Sequence, residues 1–222
     1  MLGGYTINVS KNMPQKVATG FGKVFEGWMG AEYTPIAYLG SKVVNGTNHA
    51  LLAEQRLITA NDVHSIVLLI LNDKPGDVDG SKFSVVEIKT LLSNGGRNVL
   101  GGINITPAID IPEDAQAIFD KHFAGFLGAN TSAFALLATQ MVNGIAYYFA
   151  TESTIVGTRK DDASSIVVDP SMKNIQIVTV YTYFNQIDTI DVLSGFAPVM
   201  KSDGSASTEE PSLLGDGAVN WP

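Results

Sequence analysis

The chain contains no cysteine. That removes disulfides, thiolate metal sites and a Cys nucleophile together. Histidine is nearly as scarce, with only His49, His64 and His122, and no His-x-x-x-His pair, nucleophile elbow or Ser/His/Asp set can be assembled around them. Positive charge is also short: 14 Lys and Arg against 22 Asp and Glu leave a net charge of −8. This argues against nucleic acid and against an anionic membrane as partners, since phosphate recognition needs clustered cations. Long apolar runs are missing too. The longest, Ile66 to Leu71, has the length of a buried strand and is far too short to span a bilayer. The opening Met1-Leu2-Gly3-Gly4 has neither the basic region nor the apolar core of a secretory signal, so the expected location is the cytoplasm or a particle that incorporates the chain.

What is present is a duplication. A shift of 98 residues places Leu2-Gly3-Gly4 on Leu100-Gly101-Gly102, Pro14 on Pro112, Phe21 on Phe119, Phe25 on Phe123, Gly30-Ala31 on Gly128-Ala129, Leu39 on Leu137, Val44-Asn45-Gly46 on Val142-Asn143-Gly144 and Glu54 on Glu152. About 17 of roughly 57 pairs are identical without a gap, far above chance for one offset. The units expected from this are residues 1–96 and 97–197, followed by a Ser-, Gly- and acid-rich tail over residues 198–222 whose composition suits a linker.

Each unit opens with Gly-Gly and a short extended piece, Tyr5 to Val9 or Ile103 to Ile105. A helix is expected next. Asn12 and Asp110 are the N-cap candidates, with Pro14 and Pro112 in the first turn, where a missing N–H costs nothing. Val17, Phe21, Val24, Phe25 and Trp28 recur at helical spacing, as do Ala115, Phe119, His122, Phe123 and Phe126. Gly30 and Gly128 are the expected helix ends. Strand-like runs then flank each Asn-Gly, Thr34 to Val44 with Thr47 to Ile58 and Ser132 to Val142 with Ile145 to Val156. Asn-Gly between such runs is a strong hairpin signal because both residues tolerate positive φ. A second pair of strands closes each unit, Val63 to Leu71 with Phe83 to Leu92, and Asn174 to Phe184 with Ile187 to Leu193.

This order of glycine, helix, strand, apolar tip, strand, strand, proline-containing turn and strand resembles the cystatin family, its stefin branch most closely. The family's N-terminal Gly is matched by Gly3-Gly4, and its Gln-x-Val-x-Gly hairpin by Lys42-Val43-Val44-Asn45-Gly46. Its second hairpin, with Pro-Gly or Pro-Trp, is matched by Pro75-Gly76. In the second unit Gly101-Gly102 and Gln140-Met141-Val142-Asn143-Gly144 match the first two elements. Lys42 departs from the family's Gln, and unit two has no Pro-Gly or Pro-Trp turn. The resemblance covers about residues 1 to 195. It implies an α+β fold of two tandem cystatin-like domains, each one helix packed on a four- to five-stranded antiparallel sheet. It also implies a non-enzymatic, reversible inhibitor of papain-like cysteine proteases that inserts Gly3, Gly4, the Lys42–Gly46 tip and Pro75-Gly76 into the protease cleft, with Gln140 to Gly144 as a second tip.

No catalytic residue, metal site or cofactor is expected. Asp77-Val78-Asp79-Gly80 has some of the look of a calcium loop, but Pro75 and Ile88 stand where ligands are needed, so it reads as a turn. Gly20-Phe21-Gly22-Lys23 lies inside the helix and lacks phosphate-loop spacing. The competing reading is a structural component of a particle or surface layer, with neighbouring subunits as partners in a homo- or hetero-oligomer, because duplication without a catalytic set equally suits a scaffold.

Overall fold

The computed structural model describes residues 4–96, 101–125, 129–158, 166–184 and 186–195. The first half of the chain forms β1 (Thr6–Ser10), α1 (Gln15–Phe25), β2 (Ala31–Val44), β3 (Gly46–Leu57), β4 (His64–Asp73) and β5 (Phe83–Ser93). The second forms β6 (Ile103–Ala108), α2 (Glu113–Phe123), β7 (Ala129–Val142), β8 (Gly144–Thr158), β9 (Ile166–Tyr181) and β10 (Gln186–Ser194). Each half makes one five-stranded antiparallel sheet with its strands paired in chain order. The duplication extends to register. Tyr33 pairs with Gln55 and Thr131 with Ser153, and the irregularities at Pro35/Ala37 and Tyr38/Gly40 recur at Ala133/Ala135 and Leu136/Ala138.

The central strands are apolar on both faces, and the two sets of residues go to different cores. On one face Leu39, Leu52, Ile66, Leu68 and Ile70 of the first sheet join Leu137, Tyr148, Ala150, Ile175 and Ile177 of the second in a single core. On the other face Tyr38, Leu51, Leu69 and Leu71 meet Val17 of α1, and Leu136, Phe149, Val178 and Val180 meet Ala115 and Phe119 of α2. Alternate residues along a strand point to opposite faces, so Ile66 to Leu71 are all buried. Full burial of each large aliphatic is worth about 1.5–3 kcal/mol, and the face-to-face core holds most of them.

This overturns the expected fold. The molecule is not a pair of cystatin-like helix-on-sheet domains. It is mostly β: the described residues hold two five-stranded antiparallel sheets and two helices of 11 residues each, too little helix to cover both sheets. An 11-residue helix is about 16 Å long, whereas a 12-residue strand runs about 40 Å. Each helix therefore caps part of an outer face, while the inner faces need each other. Leu51, Leu69 and Leu71 meet α1, while the residues between them, Leu68 and Ile70, join the core between the sheets.

Smaller expectations also change. Pro14 and Pro112 themselves occupy the position before the first helical residue, in extended conformation and without a side-chain cap. Their carbonyls accept from Ala18 and Gln116. Asp110 instead pairs with Lys11 of the first half, which holds its carboxyl below the ordinary range by hydrogen bond and charge. α1 and α2 stop at Phe25 and Phe123, short of Gly30 and Gly128, and Trp28 lies beyond α1, half-exposed. Among the described residues no helix is long and apolar enough to cross a membrane.

Candidate partner-binding edge

The β2–β3 hairpin turns more tightly than a two-residue loop with positive φ at both positions. Val44 pairs directly with Gly46, Asn45 alone forms the apex, and only Gly46 has positive φ, at 97°. The glycine is also required by proximity: a Cβ there would lie 2.2 Å from the Asp73 carbonyl oxygen. The tip thus rests against the start of the β4–β5 loop. Asn72 strengthens this contact by donating from Nδ2 to Asn48 Oδ1 at 2.8 Å. On the other side Thr6 pairs with Ser41, which brings Gly4 and Tyr5 alongside Lys42 and Val43.

Three segments distant in sequence therefore lie side by side along one edge: residues 4–5, 42–46 and 73–76. Gly4, Lys42 and Gly46 are half-buried, while Val43, Val44, Asn45, Pro75 and Gly76 are exposed. Val43 is 82% exposed. Lys42 turns its ammonium over the Tyr5 ring, 5.8 Å from the centroid, a cation–π placement that leaves the valines as the leading surface. Burial, with a smaller push from Glu87, raises the Tyr5 phenol above its ordinary pKa, partly offset by Asn48. Gly3 lies outside the described residues.

The β4–β5 loop is held from within. The Asp77 carboxylate accepts from the backbone N–H of Gly80 and Ser81 on Oδ1 and of Lys82 on Oδ2. Lys16 of α1 donates to Asp73 Oδ2 and to the Asp77 carbonyl, each at 2.6 Å. Lys23, two turns along α1, reaches Asp79 Oδ2 at 3.4 Å. Asp79 is held well below the usual carboxylate range, first by hydrogen bonds from Ser81 and then by Lys23. His49 shares Nδ1 with the Tyr38 hydroxyl at 3.1 Å and stacks on Phe83. Burial lowers its pKa, with Asp73 opposing and Lys16 adding to the shift.

Unit two forms a comparable edge with different chemistry. Val142 pairs with Gly144, whose φ is 99°. Gln140 donates to the Gly101 carbonyl at 2.7 Å and accepts from Tyr148 at 2.6 Å, so its amide serves to hold the strands together. Met141, Val142, Asn143 and Gly144 are exposed. Beside them the β9–β10 turn displays Tyr183 and Phe184, 67% and 57% exposed, ring edge to ring face at 5.1 Å. Sequence reasoning passed over these two aromatics, although adjacent rings between two strands were there to be noticed. The other histidines are engaged away from both edges: His64 with Glu54 at 2.6 Å, and His122 donating from Nδ1 to the Ile118 carbonyl at 2.8 Å.

Comparison of the chain with protein-family models, with curated proteins and with solved structures finds no match.

Proposed function

We propose that the chain is a non-enzymatic binding protein that docks the unit-one edge into an apolar groove of a protein partner, and that the cleft of a papain-like cysteine protease is the partner chemistry to which this edge is suited. One observation carries the reading: Gly4-Tyr5, Val43-Val44 and Pro75-Gly76 converge on one edge with the valines leading. Burying Val43, 82% exposed, would contribute very roughly 1.5–3 kcal/mol, and Val44, 39% exposed, about half of that or less. A hairpin tip this tight offers no extended scissile segment, so a protease that engaged it would be blocked and not fed. The reading rests on the edge and does not require the helix-on-sheet fold. The test is titration of papain activity with the protein and with Val44→Asp. Inhibition by the parent that the variant loses supports the reading, and no inhibition at micromolar protein sinks it.

A second reading, a structural component of a particle or surface layer, draws on the unit-two edge. Met141, Tyr183 and Phe184 are the residue types enriched at the centres of protein interfaces. Sedimentation velocity across a concentration series distinguishes this reading, which calls for self-association that Tyr183→Ser removes.

A further inference from the structure

Lys16 ties α1 to both sides of the binding edge's third segment, residues 73–76. Its ammonium joins the Asp73 carboxylate, at the end of β4, to the Asp77 main chain, inside the loop. Asp73 is also the residue whose carbonyl abuts Gly46 of the tip. The Lys16 ammonium therefore links helix, loop and the seat of the hairpin tip, with Lys23–Asp79 as a second helix-to-loop contact further along the loop. Around it stand His49 from β3, interacting electrostatically with both Lys16 and Asp73, and Phe83 from β5, whose ring centroid lies 6.0 Å from the ammonium. Asp73 Oδ1 is buried and has no hydrogen-bond partner, so Lys16 carries the compensation of that carboxylate. The Asp73 side chain is 14% exposed and that of Lys16 36%, so removing Lys16 leaves a partly shielded carboxylate without its cation, which costs more than losing a fully exposed bridge.

The duplication supplies an internal control. At the 98-residue offset Lys16 becomes Asp114, His49 becomes Tyr147 and Tyr38 becomes Leu136. Unit two ties its turn differently, through the Thr182 hydroxyl, which donates to the Ile145 carbonyl at 3.0 Å and accepts from the Ile145 N–H at 3.2 Å. The two copies share their hairpin tips and their helices but not this staple.

We infer that Lys16 is a positioning residue for the unit-one edge: through Asp73 and Asp77 it holds the Pro75-Gly76 turn beside the Val43-Val44 tip and so preorganises this edge for docking. The inference rests on the proposed protease-cleft reading for its use and on the Lys16 geometry for its substance, and the two separate in one experiment. Backbone amide exchange is followed in the full chain for the parent, Lys16→Met and Lys16→Arg, and the same three proteins are titrated against papain. Lys16→Met keeps the aliphatic stem and removes the charge. It should accelerate exchange at Asp77, Gly80, Ser81 and Lys82, whose amides are hydrogen-bonded within the loop, by about tenfold while β3 and β8 keep their protection. It should weaken papain inhibition by a similar factor, chiefly through faster dissociation. Lys16→Arg should restore both to within about threefold. Unchanged exchange at residues 77–82 in Lys16→Met, or acceleration spread evenly over both sheets, overturns the inference. So does a released loop with undiminished inhibition. A parent that never inhibits papain sinks the protease reading instead, while the exchange data still decide whether Lys16 positions the loop.

Discussion

The two hairpin glycines allow a comparison in which the sequence change is identical and only the surroundings differ. Gly46→Ala and Gly144→Ala each place a Cβ on a residue at φ near +100°, at 97° and 99° respectively. That strain costs about 1–2 kcal/mol in either case. The neighbours then separate them. At position 46 the new carbon would stand 2.2 Å from the Asp73 carbonyl oxygen and 3.2 Å from the Lys74 Cα, both backbone. At position 144 the nearest atoms are the Thr182 Oγ1 and the Tyr183 Cβ, both at 3.1 Å, a contact that a shift of a few tenths of an ångström in the turn relieves. Overpacking against unyielding backbone adds about 1–3 kcal/mol. Gly46→Ala should therefore cost about 2–5 kcal/mol and Gly144→Ala about 1–2 kcal/mol. With a urea dependence of about 2–3 kcal/mol per molar, the first lowers the denaturation midpoint by about 1 M and the second by about half that or less. Equilibrium urea unfolding followed by tryptophan fluorescence reads both. Equal shifts, or a larger shift for Gly144→Ala, would refute the claim that the unit-one tip is seated against the β4–β5 loop.

Three further outcomes follow from the same geometry. Ile177→Ala, at a fully buried position in the core shared by both sheets, should cost about 2–5 kcal/mol and lower a single unfolding transition; two separable transitions with only one moved would contradict the shared core. His49 is held below its ordinary pKa, so the unfolded chain takes up a proton more readily than the folded one. Stability from this group is complete above pH of about 6.5 and is lost as pH falls toward the folded value. His49→Leu should flatten that part of the stability profile between pH 7 and 5, and an unchanged slope counts against it. Val43→Asp, at a position 82% exposed, should shift stability by less than about 0.5 kcal/mol in thermal denaturation, and a large loss would mean that Val43 supports the fold.

The duplication, both helices and both hairpins were legible because their signals are local. Val-Asn-Gly marks a turn within a few residues, and Val17, Phe21 and Phe25 mark a helix face within three turns. The pairing of the two sheets was not. A strand such as Ile66 to Leu71 has no period when both of its faces are covered, and nothing within it distinguishes a helix-facing leucine from a sheet-facing one. The cystatin likeness then supplied a helix to cover each sheet, whereas the residues on the second face required another sheet. The edge was half legible. The tip residues and Pro75-Gly76 could be named in advance, but their adjacency depends on Gly46 meeting Asp73 and on Lys16 reaching 57 positions along the chain. A lysine in the first turn of a helix carries no sequence signal for such a partner. The tight turn itself departed from expectation because direct pairing of Val44 with Gly46 leaves a single apex residue, Asn45, which does not take positive φ.

The most direct test of the account is an amide-exchange footprint of the protein in the presence of excess papain. Docking of the unit-one edge predicts slowed exchange at residues 42–47 and 74–77, with residues 140–144 and 182–184 unchanged. Protection confined to the unit-two edge, or none at either edge, would contradict it.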